Sequence, residues 1–66
     1  MHKLGKELRK RRKEKGWTQA EIANEALVHR TTYVKYERGV TAPSLEVLCR
    51  LADILNTTID ALLGRE

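Results

Sequence analysis

The stretch that decides the fold occupies residues 18–39 and reads TQAEIANEALVHRTTYVKYERG. It opens with a capping box, because Thr18 can cap a helix while Glu21, three residues later, reaches back to the free amide of Thr18. Apolar residues then recur at helical spacing in two runs, which predict helices over about 18–26 and about 29–38. The gap between them is so short that the two helices must meet at a steep angle.

Three more helices are predicted outside this stretch. Leucines spaced four apart place a first helix over about 3–15, and Gly16 suits the left-handed position that ends it. After Pro43, Ser44 can cap a fourth helix that reads LEVLCRLADIL. Thr58 can cap a short fifth helix. No strand pattern competes, so the fold class is all-α: a compact five-helix bundle over residues 1–66, in a single domain.

Composition narrows the class of protein. The chain has 66 residues, 41% of them hydrophobic and 33% charged, which suits one small soluble domain and not a membrane protein. Its amino end lacks the apolar stretch of a secretion signal, and Cys49 has no partner cysteine for a disulfide or a zinc site. We therefore expect a cytoplasmic protein without metal, cofactor, membrane or small-molecule ligand.

The charge is unevenly distributed along the chain. The segment up to Lys15 contains eight basic and two acidic residues, whereas the remainder contains five basic and seven acidic residues. The net charge of the chain is +4. A basic segment beside a near-neutral body is typical of a protein that binds a polyanion. The same run also fits a solvated helix face or a membrane-surface patch.

The stretch TQAEIANEALVHRTTYVKYERG, followed by APSLEVLCRLADIL, closely resembles the Xre or Cro family of helix-turn-helix regulators, to which lambdoid phage repressors belong. Several features keep register with that family: the TQ that begins helix two, the ERG that closes helix three and the PSLEVL that opens helix four. The resemblance implies a lambda-repressor-like bundle whose third helix enters the major groove of double-stranded DNA, usually as a homodimer on an inverted repeat. It also implies a protein of the prokaryotic nucleoid, or one encoded by a phage or mobile element.

The third helix, about 29–38, offers the candidate base-contacting residues. Tyr33 and Tyr36 are large and three residues apart, so we expect them to face the core and leave the opposite face for DNA. At the amino end of the helix, Arg30 can pair with guanine, and side chains further along can reach bases or a thymine methyl. The alternative is that Arg30 and Lys35 bind phosphate alone. The predicted base contacts are Arg30, Thr31, Val34 and Lys35.

Backbone phosphates would be held by residues around that face. Gln19 resembles the family glutamine that braces a phosphate at the start of helix two. His29 is expected to cap helix three, with a phosphate contact as its other role. The predicted phosphate contacts are Thr18, Gln19, His29, Thr32, Arg38, Val40 and Thr41.

The resemblance also implies an internal ion pair between Arg12 and Glu37, with solvent exposure of Arg12 as the alternative.

Leu27 departs from the family pattern, which commonly has glycine in the turn, so a positive backbone angle there would cost on the order of 1 kcal/mol unless the turn bends differently. Trp17 is expected to anchor the core between helices one and two, and Cys49 to act as an apolar filler.

These features predict a sequence-specific transcriptional regulator, as repressor or autoregulator, and not an enzyme, because no catalytic constellation is present. Within this class the options are a phage-like repressor, a restriction-modification controller and an antitoxin-like autoregulator. The rival class is a helix-turn-helix scaffold that only binds protein. We expect the dimer interface near the carboxyl end, from the residues Ile54, Thr57, Ile59 and Leu63.

Overall fold

The computed structural model describes residues 2–65, which form five α-helices and no strand. The all-α, five-helix prediction is confirmed. The helices are α1 (His2–Glu14), α2 (Gln19–Glu25), α3 (Arg30–Arg38), α4 (Leu45–Ile54) and α5 (Ile59–Leu62).

Short polar side chains begin three of the helices. Thr18 accepts from the Glu21 amide while the Glu21 carboxylate accepts from the Thr18 amide, so both bonds of the capping box form. Ser44 and Thr58 accept amide hydrogens at the starts of α4 and α5. His29 occupies the same position before α3, but its side chain makes no capping bond, so that prediction was wrong. An imidazole nitrogen lies farther from the backbone than the hydroxyl of Ser or Thr, and it reaches the first-turn amides less readily.

One face of each helix packs into the hydrophobic core. Tyr33 and Tyr36 are buried, as predicted, and their rings meet edge to face with centroids 6.2 Å apart. Trp17 is half-buried against the same core, and the Lys15 ammonium lies 5.0 Å from its ring centroid. Cys49 is exposed, so its prediction as a core filler was wrong: other residues of α4 supply the inner face. The buried apolar residues are Leu4, Leu8, Ile22, Ala23, Ala26, Tyr33, Tyr36, Leu48, Leu51, Ala52, Leu55 and Leu62.

Helix α1 crosses the end of α3 at very short range. A Cβ atom at Gly5 would lie 2.4 Å from the Glu37 carbonyl oxygen and 2.8 Å from that of Tyr36. Both atoms belong to the backbone and cannot rotate away. The absence of a side chain at Gly5 therefore sets the distance between the two helices.

A cluster of four polar side chains, called here the Glu37 cluster, fixes three helices together. Arg12 from α1 donates from Nε to Glu37 Oε2 over 2.7 Å and from Nη1 to the Trp17 carbonyl over 2.7 Å. Gln19 from α2 donates to Glu37 Oε1 over 3.1 Å, and the Tyr33 hydroxyl donates to Oε2. The Arg12 and Glu37 side chains are only 9% and 3% exposed. The cluster consists of Arg12, Gln19, Tyr33 and Glu37.

The cluster keeps Glu37 ionised. Burial alone acts to raise the pKa of the Glu37 carboxyl, but hydrogen bonds from Arg12, Tyr33 and Gln19 outweigh it and hold that pKa below its ordinary value of 4.5. The bond to Glu37 raises the pKa of the Arg12 guanidinium. Burial, followed by the bond to Glu37, raises the pKa of the Tyr33 phenol well above 10.0. Around neutral pH the pair is therefore carboxylate and guanidinium, with Tyr33 a neutral donor.

Replacing Gly5 by Ala should destabilise the protein, because the new methyl group overlaps two backbone oxygens. The expected loss in free energy of unfolding is about 1 to 3 kcal/mol, after the better helix propensity of alanine has been gained. Urea unfolding measures it. The matched control is Lys6→Ala, on the exposed side of α1, which should change stability by less than about 0.5 kcal/mol. A Gly5→Ala protein as stable as the wild type would contradict the close approach.

Replacing Glu37 by Gln should reduce stability at neutral pH by on the order of 3 kcal/mol, because Arg12 then lacks its buried counter-ion. Since folding lowers the pKa of Glu37, the carboxylate stabilises the protein above about pH 4.5 and loses that effect as the pH falls below it. The difference in free energy of unfolding between wild type and variant should therefore shrink on acidification. Unfolding measured from pH 7 to pH 3 tests this, with the exposed Glu14→Gln as control. A pH-independent difference would contradict the account.

Candidate nucleic-acid interface

The outward face of α3 forms one wall of a shallow groove. Tyr33 and Tyr36 point into the core, whereas the side of α3 that carries Arg30, Thr31, Lys35 and Arg38 is exposed to solvent. The groove is lined by Gln19 of α2 together with Arg30, Thr31, Val34, Lys35 and Arg38 of α3. The structure thus brings all four residues predicted to contact bases onto one surface, beside two of those predicted to contact phosphate.

The groove is positively charged. Arg30, Lys35 and Arg38 line it, and no lining residue is acidic. Within residues 2–65 none of these three cations forms a salt bridge: the pairs that form join Arg11 to Glu7, Arg12 to Glu37 and Arg50 to Glu46. The one carboxylate of α3, Glu37, points the other way and is neutralised by Arg12. The groove therefore offers free cationic donors to a polyanion.

Gln19 links this groove to the Glu37 cluster. It lies at the first position of α2, lines the groove and uses its amide nitrogen on the buried carboxylate. Its side chain is therefore held by the protein before any ligand arrives. The sequence showed the position of Gln19 but not this partner, which lies 18 residues away.

The other residues predicted to contact phosphate lie around the groove but do not line it. Thr18 is exposed and caps α2, Thr32 is half-buried, and His29 is exposed beside a second depression formed by the turn between α2 and α3. Val40 and Thr41 are exposed in the loop after α3. All five are exposed or half-buried. Their contacts with phosphate stay a prediction.

Arg50 bonds the turn that precedes α3, and sequence reasoning missed this contact. It extends from α4 to the turn between α2 and α3, where its Nε donates to the Ala26 carbonyl over 2.9 Å. Its Nη1 pairs with Glu46 at 3.0 Å. The only sequence signal is a basic residue between two core positions of α4, and that signal does not name a partner 24 residues away.

The four residues predicted to form a dimer interface are half-buried, and three of them already pack against the core: Ile54, Ile59 and Leu63. The large apolar side chains with the highest exposure in the described chain lie elsewhere, at Leu27, Val40 and Leu45. The dimer surface stays a prediction. Across residues 2–65, the helices are too short or too polar to span a lipid bilayer.

Comparison with known proteins places these features in a family. A family model described as helix-turn-helix matches residues 8–62. The chain is similar to AnsR of Bacillus subtilis, an HTH-type transcriptional regulator, with 47% identity over 55 residues that cover 83% of this chain and 47% of that protein. It is similar to RstR of Vibrio cholerae, a cryptic phage CTXphi transcriptional repressor, with 41% identity over 63 residues that cover 96% of this chain and 56% of RstR.

A third relative is ImmR of Bacillus subtilis, an HTH-type transcriptional regulator, which is 33% identical over 63 residues, covering 96% of this chain and 50% of ImmR. The chain spans about half the length of the curated relatives it matches. No solved structure matches it. The family match extends from the middle of α1 to the last residue of α5 and includes the whole groove. The chain belongs to the helix-turn-helix family of the Xre/Cro type.

Proposed function

We propose that this chain reads specific sequences of double-stranded DNA with the outward face of α3 and regulates transcription, as a repressor or autoregulator. The observation that carries the proposal is the composition of the groove, whose lining combines unpaired cations, a hydroxyl and an apolar side chain. The helix that presents them is held on its inner side by the ion pair between Arg12 and Glu37. These groups can bond the hydrogen-bond acceptors and contact the thymine methyl groups that base pairs present in the major groove, which is wide enough to admit a helix.

The order of residues along α3 suggests how the groove would be used. Arg30 and Thr31 stand at its amino end, the part of a recognition helix that enters the major groove most deeply. A guanidinium can bind guanine through two hydrogen bonds, and Val34 can touch a thymine methyl group. Lys35 can reach a base, while Arg38 and the loop that follows it lie at the rim, where phosphates pass.

The names of the relatives support a role in transcription. AnsR and ImmR are named as transcriptional regulators and RstR as a phage repressor. A further relative, YonR, is named as derived from the SPbeta prophage. We extend the regulatory role to this chain and, with it, a place in the cytoplasm on prokaryotic or phage DNA. A face that served only to dock proteins would more often carry aromatic anchors, and the lining of the groove includes none.

Replacing Arg30 by Ala should weaken binding to the preferred DNA site by about 1 to 3 kcal/mol and should reduce discrimination against altered sites. Lys13→Ala is the matched control: it also removes one exposed cation, but from α1. Lys13→Ala should reduce the affinity for all DNA sequences slightly and equally. It should reduce the steepness of log affinity against log salt by no more than about one. Gel-shift titrations on the best site and on a scrambled duplex, at several salt concentrations, measure both effects.

Two results would contradict the assignment. If Arg30→Ala and Lys13→Ala reduced affinity for both duplexes alike, Arg30 would bind phosphate and not a base. If the wild-type affinity did not change between low and physiological salt, the cationic groove would not contact the DNA backbone at all.

We further propose that the protein binds an inverted repeat as a homodimer, because one short recognition helix reads too few base pairs for useful specificity. Two-fold symmetry would place the half-site centres about 34 Å apart on one side of the duplex. Thr57→Glu, in the predicted interface, should reduce the stoichiometry on an operator from two to one at a protein concentration that saturates the wild type. Leu45→Glu, at an exposed site outside that interface, should not.

Sedimentation of the free protein beside gel-shift stoichiometry gives the readout. A single protein copy in both assays would rule out the dimer. Two copies per operator for Thr57→Glu, with unchanged affinity, would exclude the carboxyl-terminal interface.

A further inference from the structure

All five helices of the described chain end with the same backbone motif. In each one, the amides of two consecutive residues beyond the helix donate back to carbonyls of its last turn, and the first of these two residues has a positive φ. At the end of α2 these bonds run from Leu27 to Asn24 over 3.2 Å and from Val28 to Ala23 over 3.0 Å. The residues with positive φ are Gly16, Leu27, Gly39, Asn56 and Gly64.

Leu27 is the exception in that set. Glycine adopts this conformation freely and asparagine tolerates it, but leucine at φ 61 crowds its Cβ against the backbone. The penalty corresponds to a roughly tenfold lower population of the turn than glycine would give. The Leu27 side chain is 76% exposed, so its own packing does little to offset that penalty. Some other contact must hold the turn between α2 and α3.

Arg50 makes such a contact. Its Nε donates to the carbonyl oxygen of Ala26 over 2.9 Å, and Ala26 is fully buried. Ala26 is the residue that caps the carboxyl end of α2, so its carbonyl has no later amide of the helix to bond it. It also belongs to the peptide that joins Ala26 to Leu27, so its direction depends on the φ angle of Leu27. A hydrogen bond that fixes this oxygen therefore restrains the strained torsion directly.

We propose that Arg50 is a positioning residue for the DNA-reading helix: by holding the Ala26 carbonyl, it keeps Leu27 in the left-handed conformation and sets the angle between α2 and α3. The effect on DNA rests on the proposed function, whereas the effect on the turn does not. Without Arg50 the turn samples other conformations, and the fraction of molecules whose α3 fits the major groove falls.

Amide hydrogen exchange in the free protein tests the effect on the turn. Arg50→Gln should accelerate exchange of the Leu27 and Val28 amides by about tenfold. The amides of Gly39 and Val40, which form the same motif at the end of α3, serve as the internal reference and should not change. Glu46→Gln is the matched variant: it removes the other partner of Arg50, which is 82% exposed, and should leave all four amides unchanged.

Equal acceleration at both turns would show general loss of stability, and unchanged exchange at Leu27 and Val28 would show that Arg50 does not hold the turn. Either result overturns the proposal. If Arg50→Gln does not fold, Arg50→Lys replaces it: lysine keeps the charge but lacks the forked donors, and it should accelerate the same two amides by a smaller factor.

Rescue by glycine is the readout that general destabilisation would not reproduce. Arg50→Gln should lower affinity for the preferred duplex by about tenfold, and adding Leu27→Gly should restore most of that loss together with amide protection, since glycine needs no restraint at this φ. Failure of Leu27→Gly to rescue protection would overturn the proposal. If the wild-type protein bound no duplex, the proposed function would fail, while the exchange measurements would still decide the role of Arg50.

Discussion

A buried carboxylate is the constraint on which this small domain depends. Glu37 lies on the inner side of α3, and removing it from water is costly unless its oxygens are bonded. Its partners come from different helices: Arg12 from α1, Gln19 from α2 and Tyr33 from α3 itself. Because one group collects all of these donors, the relative placement of three helices is fixed at a single point.

That constraint separates the basic residues into two kinds. Arg12 belongs to the cationic first helix, yet its side chain is buried and bonds Glu37. Arg50 bonds the Ala26 carbonyl in the turn between α2 and α3. Arg30, Lys35 and Arg38 have no carboxylate partner within residues 2–65 and stay available in the groove. Arg12 and Arg50 thus make their contacts within the domain, whereas the three cations of the groove are free to meet a polyanion.

Features that depend on neighbours in sequence could be predicted. Thr18 and Glu21 lie three residues apart and satisfy each other, and the spacing of Tyr33 and Tyr36 determines which side of α3 faces inwards. The choice of groove residues on α3 follows from that spacing, whereas Gln19 of α2 followed from the family resemblance. The ion pair of Arg12 and Glu37, by contrast, followed only from resemblance to a family, because 25 residues separate the partners.

Features that depend on three-dimensional proximity were missed or mistaken. Gly5 has an ordinary helical environment in sequence, and its role appears only when α3 crosses it. Arg50 could not be connected to Ala26 before the packing of α4 was known. Cys49 was placed inside because free cysteine is usually buried, but the leucines of α4 already fill its inner face.

Selection of bound duplexes from a random pool tests most directly the proposal that the outward face of α3 reads DNA sequence. Successive rounds should enrich an inverted repeat whose half-sites are one helical turn apart. Retention of duplexes without any shared sequence, or no retention at low salt, would contradict it.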